Sequence, residues 1–93
     1  MQKYFFHIFD ASGETIDEEG NELPDDTAAR KWAIEGIRSI ISEEVLNGMI
    51  DLLGRVEITD GTGNPVITVP FDEAVIFSRD PGATPPSPSA YDR

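Results

Sequence analysis

Asp25 to Gly48 reads DDTAARKWAIEGIRSIISEEVLNG, and this stretch decides the fold. At about 100° per residue, Ala29, Ala33, Ile34, Ile37, Ile40, Ile41 and Val45 fall within an arc of about 160°. That is the buried face of one amphipathic helix. Asp25, Asp26 or Thr27 can cap its first turn, where acidic side chains suit the positive end of the helix dipole. The pattern runs to about Leu46, and Asn47-Gly48 supplies the stop, since either residue can take the left-handed conformation. Such a helix is about 30 Å long, whereas a six-residue strand spans about 20 Å. One end should therefore overhang the sheet it covers, with Met49, Ile50, Leu52 and Leu53 folding back beneath it.

Hairpins flank the helix on both sides. Lys3 to Phe9 is dominated by aromatic and β-branched residues, which favours a strand. Tyr4, Phe6 and Ile8 point one way, and Phe5, His7 and Phe9 the other. Both rows are largely apolar, as in a strand covered on two sides. Asp10 to Gly13 is a turn, and a short strand around Glu14 to Asp17 returns. Glu18 to Asn21 is a second turn, and Glu22-Leu23-Pro24 leads into the helix. After the helix, Arg55 to Asp60 alternates with Val56 and Ile58 inward, and Gly61 to Asn64 turns the chain. Pro65 to Pro70 comes back with Ile67 and Val69 on one face and Val66 and Thr68 on the other. Phe71, Val75, Ile76 and Phe77 form a last apolar segment that closes the core. The expected fold is α+β, in the order ββ-α-ββ: a four-stranded antiparallel sheet with one long helix packed on one face. Residues 1–78 form the single domain.

Residues 79–93 read RDPGATPPSPSAYDR and form a proline-rich tail. Its prolines disfavour helix and sheet, and little beyond Tyr91 could be buried to offset the entropy of ordering it, so disorder is expected. Pro85 to Pro88 could be read by an aromatic groove, but no basic anchor adjoins it. The tail's two Arg and two Asp cancel, so residues 1–78 carry the whole net charge of −11.

That charge bounds the partners. Seven Lys and Arg stand against eighteen Asp and Glu, an excess that repels nucleic acid and anionic lipid at long range. The excess suits solubility or a cationic partner, and a mostly solvated charged surface is the simpler reading. No stretch approaches the roughly 20 apolar residues of a membrane span, and Met1 to Phe9 does not read as a signal peptide. The chain has no cysteine, so thiolate chemistry, disulfides and sulfur-ligated zinc are excluded. A cytoplasmic protein without a cofactor is expected.

The segments Tyr4-Phe5-Phe6-His7, Asp17-Glu18-Glu19-Gly20, Glu22-Leu23-Pro24-Asp25 and Val69-Pro70-Phe71 together resemble a family of short, mainly alphaproteobacterial proteins described as a domain of unknown function. The resemblance covers nearly all of residues 1–77 and none of the tail. It implies a bacterial, cytoplasmic, single-domain protein, and carries no activity, ligand or catalytic residue with it.

Few constellations suggest chemistry. Asp10 to Asp26 holds eight carboxylates and no Lys or Arg, so calcium or magnesium could sit there. The spacing is not that of a calcium-binding helix–loop–helix, and turn or cap duties account for Asp17, Asp25 and Asp26. His7 lies mid-strand; Ser12, Ser39 and Ser42 lack the glycine pattern of a nucleophile elbow, so a strand histidine bonded across the sheet is the simpler reading. Gly61-Thr62-Gly63 is followed by no helix and contains no Lys, which removes a phosphate loop. Arg30, Lys31 and Arg38 are expected to pair with Glu35, Glu43 or the acidic loop. No catalytic residue is assigned, and the chain is read as a non-enzyme.

One helix covers only one sheet face. The aromatic row Phe5 and Phe9, with His7 between them, then needs cover from residues 71–77 or from a second copy. Trp32 lies off the buried stripe, where it either anchors a partner or lies flat on the helix flank. Phe5, His7, Phe9 and Trp32 are the candidate interface, and a homodimer is expected on that ground. The leading function is a non-catalytic interaction or regulatory module. The alternatives are a regulator responding to divalent cations through residues 10–26 and an antitoxin-like regulator.

Overall fold

The computed structural model describes residues 1–76. Its order is β1 (Gln2–Asp10), β2 (Gly13–Thr15), β3 (Asn21–Leu23), α1 (Asp26–Leu46), β4 (Arg55–Asp60) and β5 (Pro65–Pro70), followed by a 3₁₀ turn at Phe71–Glu73. The arrangement is α+β in the expected ββ-α-ββ order, with one short strand more than foreseen. Phe77 and the expected tail, residues 79–93, lie outside the described residues.

β1 is the hub of an antiparallel sheet ordered β2-β1-β4-β5, and β3 also pairs with β1. β4 runs along one edge of β1 from Tyr4↔Asp60 to Phe9↔Arg55. The other edge is shared. β2 takes its Ile8–Asp10 end and β3 its Gln2–Tyr4 end. β2 and β3 are thus two pieces of one strand position, separated by residues 16–20. β3 is not foreseen from the sequence because Asn21–Leu23 has no alternation of its own; only the vacant edge of β1 makes it a strand. Between β4 and β5 the pairing steps from Ile58↔Ile67 to Thr59↔Pro65, leaving Val66 as a bulge. β5 is an outer strand with proline at each end, which blunts an exposed edge.

α1 begins at Asp25, whose Oδ1 accepts the Ala28 N–H at 2.9 Å. It ends at Asn47 and Gly48, the latter at φ +83 with its N–H on the Val45 carbonyl. Ala29, Ala33, Ile37 and Ile41 are buried against Tyr4, Val56, Ile58, Val69 and Phe71, and Phe6, Ile8, Ile34, Ile40 and Ile67 pack around this core. Small alanines in the first half of the helix share the cluster with the large Tyr4 and Phe71 rings, the size alternation that close packing requires.

Three expectations are corrected. Val45, expected in the buried stripe, is half exposed, one turn beyond Ile41, the last buried position of α1. The segment after β5 does not cover the far sheet face. Phe71 is fully buried in the helix-side core, while Glu73 and the Ala74 carbonyl are held by Arg30 and Arg38 of α1. Those two arginines thus pair across to the 3₁₀ turn and its exit rather than within the helix or to the acidic loop. Chain closure here is tight: a Cβ on Gly54 would lie 2.7 Å from the Phe71 ring and 2.9 Å from the Phe9 carbonyl.

Candidate interaction surface

The four residues singled out from sequence do not share one surface. Trp32 stands on α1, 46% exposed, on the helix side of the sheet. Phe5, His7 and Phe9 lie in the opposite row of β1, facing away from the helix, each half buried.

Local groups cover much of that far row. The Arg55 guanidinium lies 4.5 Å from the centre of the Phe9 ring and also pairs with Glu57 at 2.7 Å. Residues 16–20 cross beside Phe5 so closely that a Cβ on Gly20 would meet its ring at 3.0 Å and the Tyr4 carbonyl at 2.9 Å. Gly20 has φ +71, so both its conformation and its space call for glycine. His7 is fully engaged. The Asp17 N–H donates to Nδ1 at 3.1 Å, which makes Nδ1 an acceptor and puts the ring proton on Nε2, 3.1 Å from Thr59 Oγ1. His7 therefore fastens the 16–20 loop to β1 and β1 to β4.

The acidic loop uses its carboxylates as turn acceptors. Asp17 takes the N–H groups of Phe6 (3.0 Å), Glu19 (3.1 Å) and Gly20 (3.0 Å). Burial acts to raise its pKa, but the Gly20, Phe6 and Glu19 donors and the nearby His7 together outweigh that and hold it below the usual carboxylate range. Asp60 does the same in the β4–β5 turn, with Thr62 and Asn64 as its donors and its pKa also lowered. Tyr4 donates its hydroxyl to Asp26 Oδ1 at 2.7 Å. That bond, burial, and the charges of Asp26, Asp25 and Asp60 push the phenol up to about 12. Among the described residues no group of three Asp, Glu or His side chains converges to hold a metal ion.

The most exposed apolar surface lies elsewhere, at the end of α1 and the start of the segment leading to β4. Leu46 is 84% exposed and Leu53 95%, and Val45, Met49 and Ile50 are each about half exposed. Val45, Gly48, Met49 and Ile50 line one shallow hollow. Next to it, Asp10, Ile40, Glu43, Glu44 and Met49 line a second. The expected folding back happens only at Leu52, which packs on the core. Asp51 is the reason. It is buried, its Oδ2 accepts the Ala11 N–H at 2.8 Å and its Oδ1 the Leu53 N–H at 2.9 Å, while its own N–H donates to Glu44 Oε1. Pinned inward at this polar residue, the chain turns Leu53 outward and leaves Ile50 half exposed. Sequence periodicity could not find this, because it assigns a charged residue to the outside.

A family model described as a domain of unknown function, DUF6894, matches residues 3–72. The chain belongs to the DUF6894 family. No curated protein and no solved structure matches it. The residues matched to DUF6894 contain β1 from Lys3, all of β2 to β5, the Asp17–His7 fastening and the exposed end of α1. No helix among the described residues is long and apolar enough to cross a membrane.

Proposed function

We propose that this DUF6894 domain is a non-catalytic interaction module that engages another protein through the free end of α1. The observation that carries this is the exposed apolar hollow of Val45, Met49 and Ile50 at the end of α1, with the largely exposed Leu46 next to Val45 in the chain. Apolar surface gathered in one place marks a contact site more often than scattered exposed residues do. The earlier candidates are less suited. Phe5 and Phe9 are partly covered from within the chain, and His7 has both ring nitrogens bonded. Trp32 remains a candidate at the margin of the module, since tryptophan often anchors interfaces. A different protein suits the surface better than a second copy, because two chains of −11 repel. The proposal includes a bacterial, cytoplasmic setting, supported by the family resemblance and by a cysteine-free chain.

The test compares proteins captured from the native cell extract by the wild-type chain and by Leu46→Ser/Ile50→Ser, with light scattering to give the mass of each. A partner held by the wild type and lost by the double variant is the expected result. Identical capture by both chains removes the α1 end as the contact. A wild-type mass of two chains that falls to one in the variant would replace the foreign partner with self-association.

A further inference from the structure

We infer that the segment docking on the end of α1 is basic and amphipathic: a partner helix with one apolar face and Lys or Arg beside it. This rests on the interaction reading above and adds the chemistry of the partner.

Three observations converge. First, the two hollows share Met49 but differ in character: one is lined by Val45, Gly48, Met49 and Ile50, the other by Asp10, Glu43 and Glu44 around Ile40 and Met49. A ligand spanning both must present apolar and cationic groups side by side. Second, the carboxylates there have no cationic partner among the described residues, whose only ion pairs are Arg30–Glu73 and Arg55–Glu57. Glu44 accepts the Asp51 N–H, and Asp10 accepts from Ser12, so both are held in place while their charge stays uncompensated. Third, the last turn of α1 carries no basic residue. Its carbonyl end is the negative end of the helix dipole, and Glu43 and Glu44 add to that potential rather than oppose it. A Lys or Arg of a bound segment would supply the charge that helix ends ordinarily provide for themselves. At longer range, the net −11 steers a cationic segment toward the chain. Binding of an amphipathic helix through an apolar groove is a common mode of peptide recognition.

The experiment titrates the full chain with three fluorescein-labelled 18-residue peptides, read by anisotropy. One is an amphipathic Leu/Lys helix. The second has the same composition scrambled to remove its apolar face, and the third is an amphipathic Leu/Glu helix. The Leu/Lys helix is expected to bind, more weakly as salt is raised, and at least tenfold more tightly than either other peptide. Leu46→Ser/Ile50→Ser should weaken it at least tenfold, and Glu43→Lys about fivefold, with circular dichroism showing both variants folded. Glu43→Lys alone tests the charge argument if the double variant does not fold. Equal binding of the Leu/Lys and Leu/Glu helices overturns the basic partner while leaving the apolar contact standing. Equal binding of the Leu/Lys helix to wild type and to the folded double variant overturns both, since charge alone would then account for it.

Discussion

The Asp17 carboxylate accepts the Phe6 N–H at 3.0 Å, at the point where the strand beside β1 is broken between β2 and β3. A side-chain oxygen thereby takes the place of a ladder partner, and the same carboxylate closes its own loop onto Glu19 and Gly20. A backbone donor of a central strand left without a partner is costly, so the gap depends on this residue.

Asp17→Asn should destabilise the domain by about 1–3 kcal/mol, because one amide oxygen cannot serve donors on both sides of the loop. Its folded-state pKa is depressed. The corresponding stability is present above the unfolded value of about 3.9 and is lost as pH falls through the folded value. Urea melts between pH 2 and pH 6 should show a shallower acid loss in the variant, with Asp60 supplying much of what remains. An unchanged acid profile would show that Asp17 does not carry this linkage.

Tyr4 governs the alkaline side. Its pKa is raised to about 12, so its contribution is complete below the unfolded value of about 10 and disappears as pH rises to the folded one. Tyr4→Phe removes the Asp26 hydrogen bond and should flatten the stability curve between those limits. A variant curve parallel to wild type would contradict the assignment.

The neutral His7 ring should be the Nε2–H tautomer, with Nδ1 as acceptor. Long-range proton–nitrogen correlation of the imidazole distinguishes the two ring nitrogens directly. Finding the proton on Nδ1 would break the inferred link to the Asp17 N–H. His7→Phe should speed amide exchange at Asp17 more than at Ile58 in the middle of β4.

Gly20→Ala should cost about 1–2 kcal/mol for the left-handed backbone alone, and more for a Cβ 2.9 Å from the Tyr4 carbonyl. Thermal melts measure it. A neutral outcome would mean that the loop shifts without loss to β3.

Ile37→Ala and Leu46→Ser, nine residues apart on α1, should differ sharply. Ile37 is fully buried, and its truncation should cost about 2–5 kcal/mol. Leu46 is largely exposed, and its replacement should stay within about 0.5 kcal/mol. Similar losses at both sites in chemical denaturation would mean that Leu46 is covered in solution.

The helix was legible in its extent and most of its inward face, though not in which of three residues caps it or in Val45, which is half exposed. Asp25 caps it, Asn47 and Gly48 end it, and Ala29, Ala33, Ile37 and Ile41 are its buried stripe. β4 and β5 were legible to the residue from alternation and the Gly61–Asn64 turn. β3 and the far-face cover were not, since neither depends on local pattern: β3 forms because β1 offers an edge, and Arg55 reaches Phe9 only through the β1–β4 register. The apolar end of α1 was half legible. Length predicted the overhang, while Asp51, a carboxylate buried by two backbone donors, reversed the expected direction of Leu53.

Periodicity and turn chemistry were enough, by themselves, to determine the α+β class, the element order and the inward stripe of α1, because each arises between residues close in the chain. Tertiary structure alone decided which polar groups go inside and which apolar groups stay wet. Asp17, His7 and Asp51 each bond to backbone or side-chain groups at least ten residues away, and those long-range bonds outweigh hydrophobicity in placing their neighbours.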